Sequence, residues 1–347
     1  MVAVFRLLDT SLRLWSRGEV QRSLTEQASV VAAIFAHDLR SLHNGAQGDF
    51  LVEWAQFDVD ADGAFERVWP RVRLVRQASA AELAILRKRD LVAQQGPEDA
   101  TEPAAKSPTG ATGRAMRSGL IEVCWAILPA GKAAPHEGVL WRGEQLYGRL
   151  DRTSYFAPGF FDARNEPPVG ALNEVSGGLL WFGIQLATQT SIVREGWHIG
   201  FELADSSASW DAWKRDRPDP TYHEWNEPGA GMPRVANAPL LPRRVRLELE
   251  FERPVDVRRR TRTTDMLEAS ATSFQVDNGA RLPGAGRLVL IGPEWMLIQS
   301  VDGDRVQVQR GRRGTAPVQH PAGERVHFGG LVVTEVTLAL YNDDWNL

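Results

Sequence analysis

From Phe50 onward the chain is written in short runs of valine, tryptophan and phenylalanine, broken every few residues by Gly, Pro or Asp. That texture limits most of the chain to β structure. Phe50 to Phe57 and Phe65 to Val75 flank Asp62-Gly63, and Asp-Gly between alternating runs is a strong hairpin signal. In the second run Val68, Val72 and Leu74 share one face, while Arg67, Trp69, Arg71 and Arg73 share the other, which predicts a half-buried hairpin. Further strands are expected at Leu120 to Leu128, Leu179 to Ala187, Trp197 to Leu203 and Arg244 to Phe251. Ala78 to Leu91 reads as a short helix. Ala93 to Gly113, rich in Pro, Gly, Ala and Thr, reads as a mobile loop.

Ahead of the β texture the apolar residues keep helical spacing. Phe5, Leu8, Leu12 and Trp15 are followed by Leu24, Ala28, Val31, Phe35, Leu39 and Leu42. The stripe predicts one long helix, or two joined near Gly18, over residues 1–43, ended by Asn44-Gly45 and laid against a sheet. A β-rich globular domain then spans 44–260. Thr261 to Gly330 reads as a small β unit of its own, with turns at Pro283-Gly284, Gly292-Pro293 and Asp302-Gly303. The alternating runs "RRVRLELEF" before it and "LVVTEVTLALYN" after it are expected to pair, which makes 261–330 an insertion at a hairpin tip. Residues 331–347 then hold the last strand of the parent sheet and a tail. The expected fold class is α+β, a long amphipathic helix on an antiparallel sheet carrying an inserted all-β module.

With 347 residues, 43% of them hydrophobic, the chain can bury a sizeable core. Its 40 basic and 44 acidic residues leave a net charge of −4, no global field for nucleic acid or an anionic membrane. The single cysteine, Cys124, lies in an apolar run and reads as a buried thiol.

Candidate chemistry is sparse. Asp58, Asp60, Asp62 and Gly63 match the opening of an EF-type calcium loop, with Glu66 at the ninth position, but Trp69 stands where the bidentate glutamate belongs. A Ca²⁺ site and a plain hairpin turn both fit. The arginines around Arg310-Gly311-Arg312-Arg313-Gly314, with Arg258, Arg259, Arg260 and Arg262, fit a solvated turn better than an RNA surface, because no aromatics interleave with them. The seven histidines form no zinc pattern. His223-Glu224 is the best acid/base pair, and nothing else converges on it. Trp197, Trp210, Trp213 and Trp225 crowd one stretch; core and interface are weighed there against a sugar platform.

Three stretches together carry a family resemblance: the helix "LRLWSRGEVQRSLTEQASVVAAIFAHDLRSL", the hairpin "DVDADGAFERVWPRVRLVRQ" with the tryptophan-rich "LLWFGIQLATQTSIVREGW" and "SSASWDAW", and "LLPRRVRLELEFERP". In that order they resemble the globular part of a J-type minor pseudopilin of the type II secretion system, a pilin-like fold. The segment from "LPGAGRLVLIGPEWMLIQS" to "GERVHFG" is similar to a small β module of phage-tail-like proteins and of some long pseudopilins.

The resemblance implies a non-catalytic subunit of the pseudopilus tip at the periplasmic face of the bacterial inner membrane. Its partners would be minor pseudopilins of the I and K types. The implied assembly surface is Leu24, Val31, Phe35, Leu39, Trp210 and Trp213, and Ca²⁺ in a loop would suit the family. It also implies a leader and a hydrophobic helix N-terminal to this sequence, so "MVAVFRLLDT" is expected to be the tail of that helix in a shortened chain or one with a mis-assigned start. The alternative function is a phage-tail-like or surface-adhesin binding module using the tryptophan loop or the insert.

Overall fold

The computed structural model describes residues 28–43, 50–59, 63, 65, 67–95, 119–132, 134–148, 152–187, 197–199, 210–211, 241–242, 244–252 and 260–338, with backbone alone at 90–95, 187, 197–199 and 210–211. They form two curled antiparallel sheets with two short helices, α1 (28–40) and α2 (Ala80–Gln95). The first sheet holds β1 (Phe50–Phe57), β2 (Arg67–Gln77), β3 (Leu120–Pro129), β4 (Gly138–Leu146), β5 (Asn173–Ala187), β6 (Trp197–Ile199), β7 (Trp210–Asp211), β8 (Arg244–Phe251) and β15 (Gly330–Thr337). Its order is β15-β8-β5-β4-β3-β2-β1-β7, with β6 against β5.

The second sheet lies between β8 and β15 in sequence. It holds β9 (Thr261–Arg262), β10 (Ser273–Gln275), β11 (Leu288–Ile291), β12 (Glu294–Asp302), β13 (Arg305–Arg312) and β14 (Arg325–His327) in the order β10-β13-β12-β11-β14-β9. The flanking strands pair residue by residue from Phe251↔Gly330 to Arg244↔Thr337.

The expected α+β fold, a long N-terminal helix packed on a sheet, is not the observed one. The molecule is mostly β, and α1 is short. The chain leaves the helix at Ser41 and Leu42 and enters the sheet at once. Leu42 bridges Arg76, the His43 N–H donates to Val75 O at 2.9 Å, and the Gln77 N–H donates to Ser41 O at 2.8 Å. Helical spacing fixes which residues share a face; it does not fix how far the helix runs. Residues 1–27 lie outside the described residues.

α1 fills the hollow of the curl. Ala28, Val31, Ala32, Phe35, Ala36 and Leu39 enter one core with Phe50, Val52, Trp125, Ile127, Phe182, Ile184, Leu247 and Phe251. Phe35 meets Trp125 and Phe182 edge-on, at 5.5 and 6.1 Å between centroids. Trp69, expected on the arginine face of the hairpin, is buried in this core instead, beside the spot where Gly138 leaves room. On the opposite face of β3, Cys124 and Ala126 are covered by Tyr155, Phe160 and Leu172. The central strand is therefore buried on both faces, which its unbroken apolar run reflects. Among the described residues no helix is long and apolar enough to cross a membrane.

Candidate functional site

Of the four residues expected to hold Ca²⁺, Asp60, Asp62 and Glu66 lie outside the described residues. Asp58 is described, and its carboxylate accepts the Gly63 N–H at 2.9 Å, with Gly63 at φ +90°. That contact closes the turn, an arrangement that suits a plain hairpin turn and the opening of a calcium loop alike. Val31, Phe35 and Leu39 are buried against their own sheet rather than displayed. Leu24 and Trp213 are outside the described residues, as is the pair His223-Glu224. Trp210 contributes backbone to β7, opposite Val52. Cys124 is fully buried, and burial above all pushes its thiol up to about 12, against the pull of Arg73 and Arg71. A thiol so placed is no nucleophile at neutral pH.

The described charged clusters serve the architecture. Asp38, near the end of α1, accepts Trp125 Nε1 at 2.9 Å and Arg142 Nε and Nη2 at 3.0 and 2.9 Å, and it pairs with Arg76 Nε at 2.9 Å. In the second sheet Glu294 accepts Arg310 Nε and Nη2 at 2.6 Å each and the N–H groups of Gly311 and Val318 at 3.1 Å. His320 bridges it to Glu324, 3.0 Å on either side. Burial opposes the charge on Glu294, but the donors win and hold its carboxyl at about 2. Burial likewise opposes charge on His320, and its two carboxylate neighbours nonetheless raise its pKa. The arginine-rich turn is thus a structural knot, with Gly311 at φ +64° and Gly314 at φ +73°.

Glu137, Glu252 and His327 gather donor atoms within 4.8 Å of one another, the spacing a metal ion needs. Arg260 already supplies the positive charge. Its Nε donates to Glu252 Oε1 at 2.7 Å, and its Nη2 reaches both glutamates. The guanidinium and the imidazole of His327 satisfy both carboxylates, so the cluster is a clasp between the sheets.

A second clasp lies nearby. Trp181 of β5 and Trp295 of β12 meet edge-on at 6.1 Å. The Arg313 guanidinium sits 4.8 and 4.1 Å from their ring centroids and pairs with Glu250 at 2.7 Å. Arg313 holds φ +54°, a conformation that side chains other than glycine's seldom adopt, so the contact is kept at some backbone cost.

What the described molecule leaves open is the rim of the first sheet. β15 hydrogen-bonds to β8 on one side and to no described strand on the other. Its residues alternate, Val332 and Val336 toward the core and Leu331, Val333, Glu335 and Thr337 outward. Leu331 is 43% exposed and Val333 45%. Behind them on β8 stand Glu250, Glu248, Arg246 and Arg244 in register. Burial raises the pKa of Glu248, against the influence of Arg313 and Arg246. Glu335 pairs with Arg244 at 3.3 Å. A strand with no described neighbour on one side and two outward aliphatic side chains can accept another strand. The sequence predicted β15 as a strand; its place at the rim was not legible, because strand order depends on long-range pairing.

No protein-family model matches the chain, and no curated protein matches it.

Proposed function

We propose that the protein is a structural subunit that acts by protein-protein assembly, not catalysis, and that β15 is its contact edge. The observation that carries this reading is the rim at Gly330–Thr337, where no described strand lies beyond β15 and Leu331 and Val333 are exposed. Main-chain bonds to an added strand supply affinity and the outward side chains supply selectivity.

The sequence resemblance offers a setting for such a subunit: the pseudopilus tip of a type II secretion system, at the periplasmic face of the inner membrane, beside I- and K-type minor pseudopilins. In that setting contacts would run through strands, because the described helix has its apolar stripe against its own sheet. A second reading, a phage-tail-like or adhesin module, is favoured by the two clasps, which present the second sheet as a fixed platform.

Site-specific photo-cross-linking in the native cell tests the proposal. A photoreactive side chain at Val333 is compared with one at Ile85, which is 66% exposed on α2 and serves as the control. Discrete protein adducts from Val333 and none from Ile85 are expected. Adducts from neither position, or equal adducts from both, would remove β15 as the contact.

A further inference from the structure

We propose that β15 pairs with β15 of a second copy of this chain, antiparallel and centred on Val333, so that two first sheets join across a twofold axis. The inference rests on the assembly reading above and commits it to a partner. Edge strands that stay single are usually blunted by proline, lysine, an inward charge or a bulge. Gly330–Thr337 has none of these: its register with β8 runs unbroken over all eight pairs. Its one charge, Glu335, is matched by Arg244 of its own molecule.

With inward and outward residues kept on their own faces, two antiparallel self-registers, centred on Val333 or on Thr334, cover most of Gly330–Thr337. With Val333 on the axis, Val333 faces Val333, Val332 faces Thr334 and Leu331 faces Glu335. Outward aliphatic groups then meet at the centre, where β-branched cross-strand pairs are favourable. Shifting the axis to Thr334 would leave the two Glu335 carboxylates only two residues apart, about 7 Å along the strands at ~3.3 Å per residue. The Val333 register separates them by four residues, about 13 Å. Like charges close across a ladder are unfavourable, so the Val333 register wins. A contact of about eight residues per copy is well short of the roughly 20–30 of a standard interface, so the dimer is weak and concentration-dependent.

Sedimentation velocity of the full chain over a concentration series is the first test, run beside Val333→Lys. Lysine at this exposed position leaves the core untouched but sets two cations face to face on the axis. An unchanged melting midpoint confirms that the variant folds. Self-association is expected in the wild type, weakened at least tenfold in Val333→Lys.

Val333→Cys tests the register. Directly opposed residues lie about 4.5–5.5 Å apart between Cα atoms, within disulfide range. Under mild oxidation Val333→Cys should cross-link two copies, Leu331→Cys should not, and the double variant Leu331→Cys, Glu335→Cys should again. Cys124 is fully buried and does not compete. A chain that stays monomeric at every concentration, or a Val333→Cys that cross-links no better than Leu331→Cys, overturns the self-pairing. If the chain stays monomeric while Val333 captures a different protein in the cell, self-pairing falls and the assembly reading stands. If it stays monomeric and captures nothing, both fall.

Discussion

Asp38 shows how much of the helix's role lies in one polar residue. It is fully buried, and it ties α1 to three strands through Trp125 on β3, Arg142 on β4 and Arg76 on β2. Asp38→Ala removes the buried carboxylate that Arg76 and Arg142 share and leaves them to the more exposed Glu82 and Glu144, and removing one partner from a buried ion pair typically costs about 3–5 kcal/mol. Urea unfolding should show a loss of that order; a loss under about 1 kcal/mol would mean the arginines find water instead. Glu294 and His320 make the second sheet sensitive to pH in opposite senses. The Glu294 carboxyl is held at about 2 against an ordinary 4.5, so its contribution is full above 4.5 and fades as pH falls toward 2. His320 titrates above 6.5, so its contribution is full below 6.5 and is lost as pH rises through its raised pKa. In Glu294→Gln the stability deficit, measured by urea unfolding, should be largest near pH 6 and should narrow steadily toward pH 3. A deficit that does not change with pH would count against the ionised pair.

At the scale of elements, the hairpin of β1 and β2 was legible because alternation and Asp-Gly agree there. The register from Phe50↔Leu74 to Phe57↔Arg67 follows. β4 was not legible. Its run Gly138–Leu146 holds two glycines, an arginine and a glutamate, which dilute the alternation. Two of these have a tertiary reason: a Cβ at Gly143 would lie 2.5 Å from Leu172 Cδ2, and Arg142 turns inward to Asp38. Neither partner is near in sequence, so no local pattern could reveal them. α2 was read as a short helix over Ala78 to Leu91 and is observed over Ala80–Gln95, its start set by a capping box of Ser79 and Glu82 that the reading did not use. The Glu82 N–H donates to Ser79 Oγ at 3.2 Å, and Glu82 Oε2 accepts the Ser79 N–H at 2.7 Å. The long helix on a sheet that the apolar spacing suggested is not the observed fold: the described part of that stripe is α1 (28–40), and residues 1–27 lie outside the described residues.

At the scale of the molecule the question is whether two sheets behave as one body. The Trp181, Trp295 and Arg313 clasp and the Arg260, Glu252, Glu137 and His327 clasp predict that they do. Arg313→Gly suits the backbone at φ +54° and removes only the side chain, so its effect reports the contact. It leaves Glu250 without its cation, and calorimetry should show a single transition in the wild type and a split or broadened one in the variant, with about 3 kcal/mol lost. A single sharp transition in both would mean that the tryptophan clasp is not what couples the sheets. From the sequence, the arginines of this turn read as solvated; the two tryptophans that enclose Arg313 come from different sheets.

A body held this way projects β15 as a fixed rim, the edge proposed above to meet a partner. Amide hydrogen exchange over 330–337 tests that proposal most directly, comparing the dilute isolated chain with the chain in its cross-linked assembly. Alternate amides of β15, those not bonded to β8, should exchange quickly in isolation and become protected in the assembly while α2 is unchanged. Equal exchange of β15 in both states would contradict the proposal.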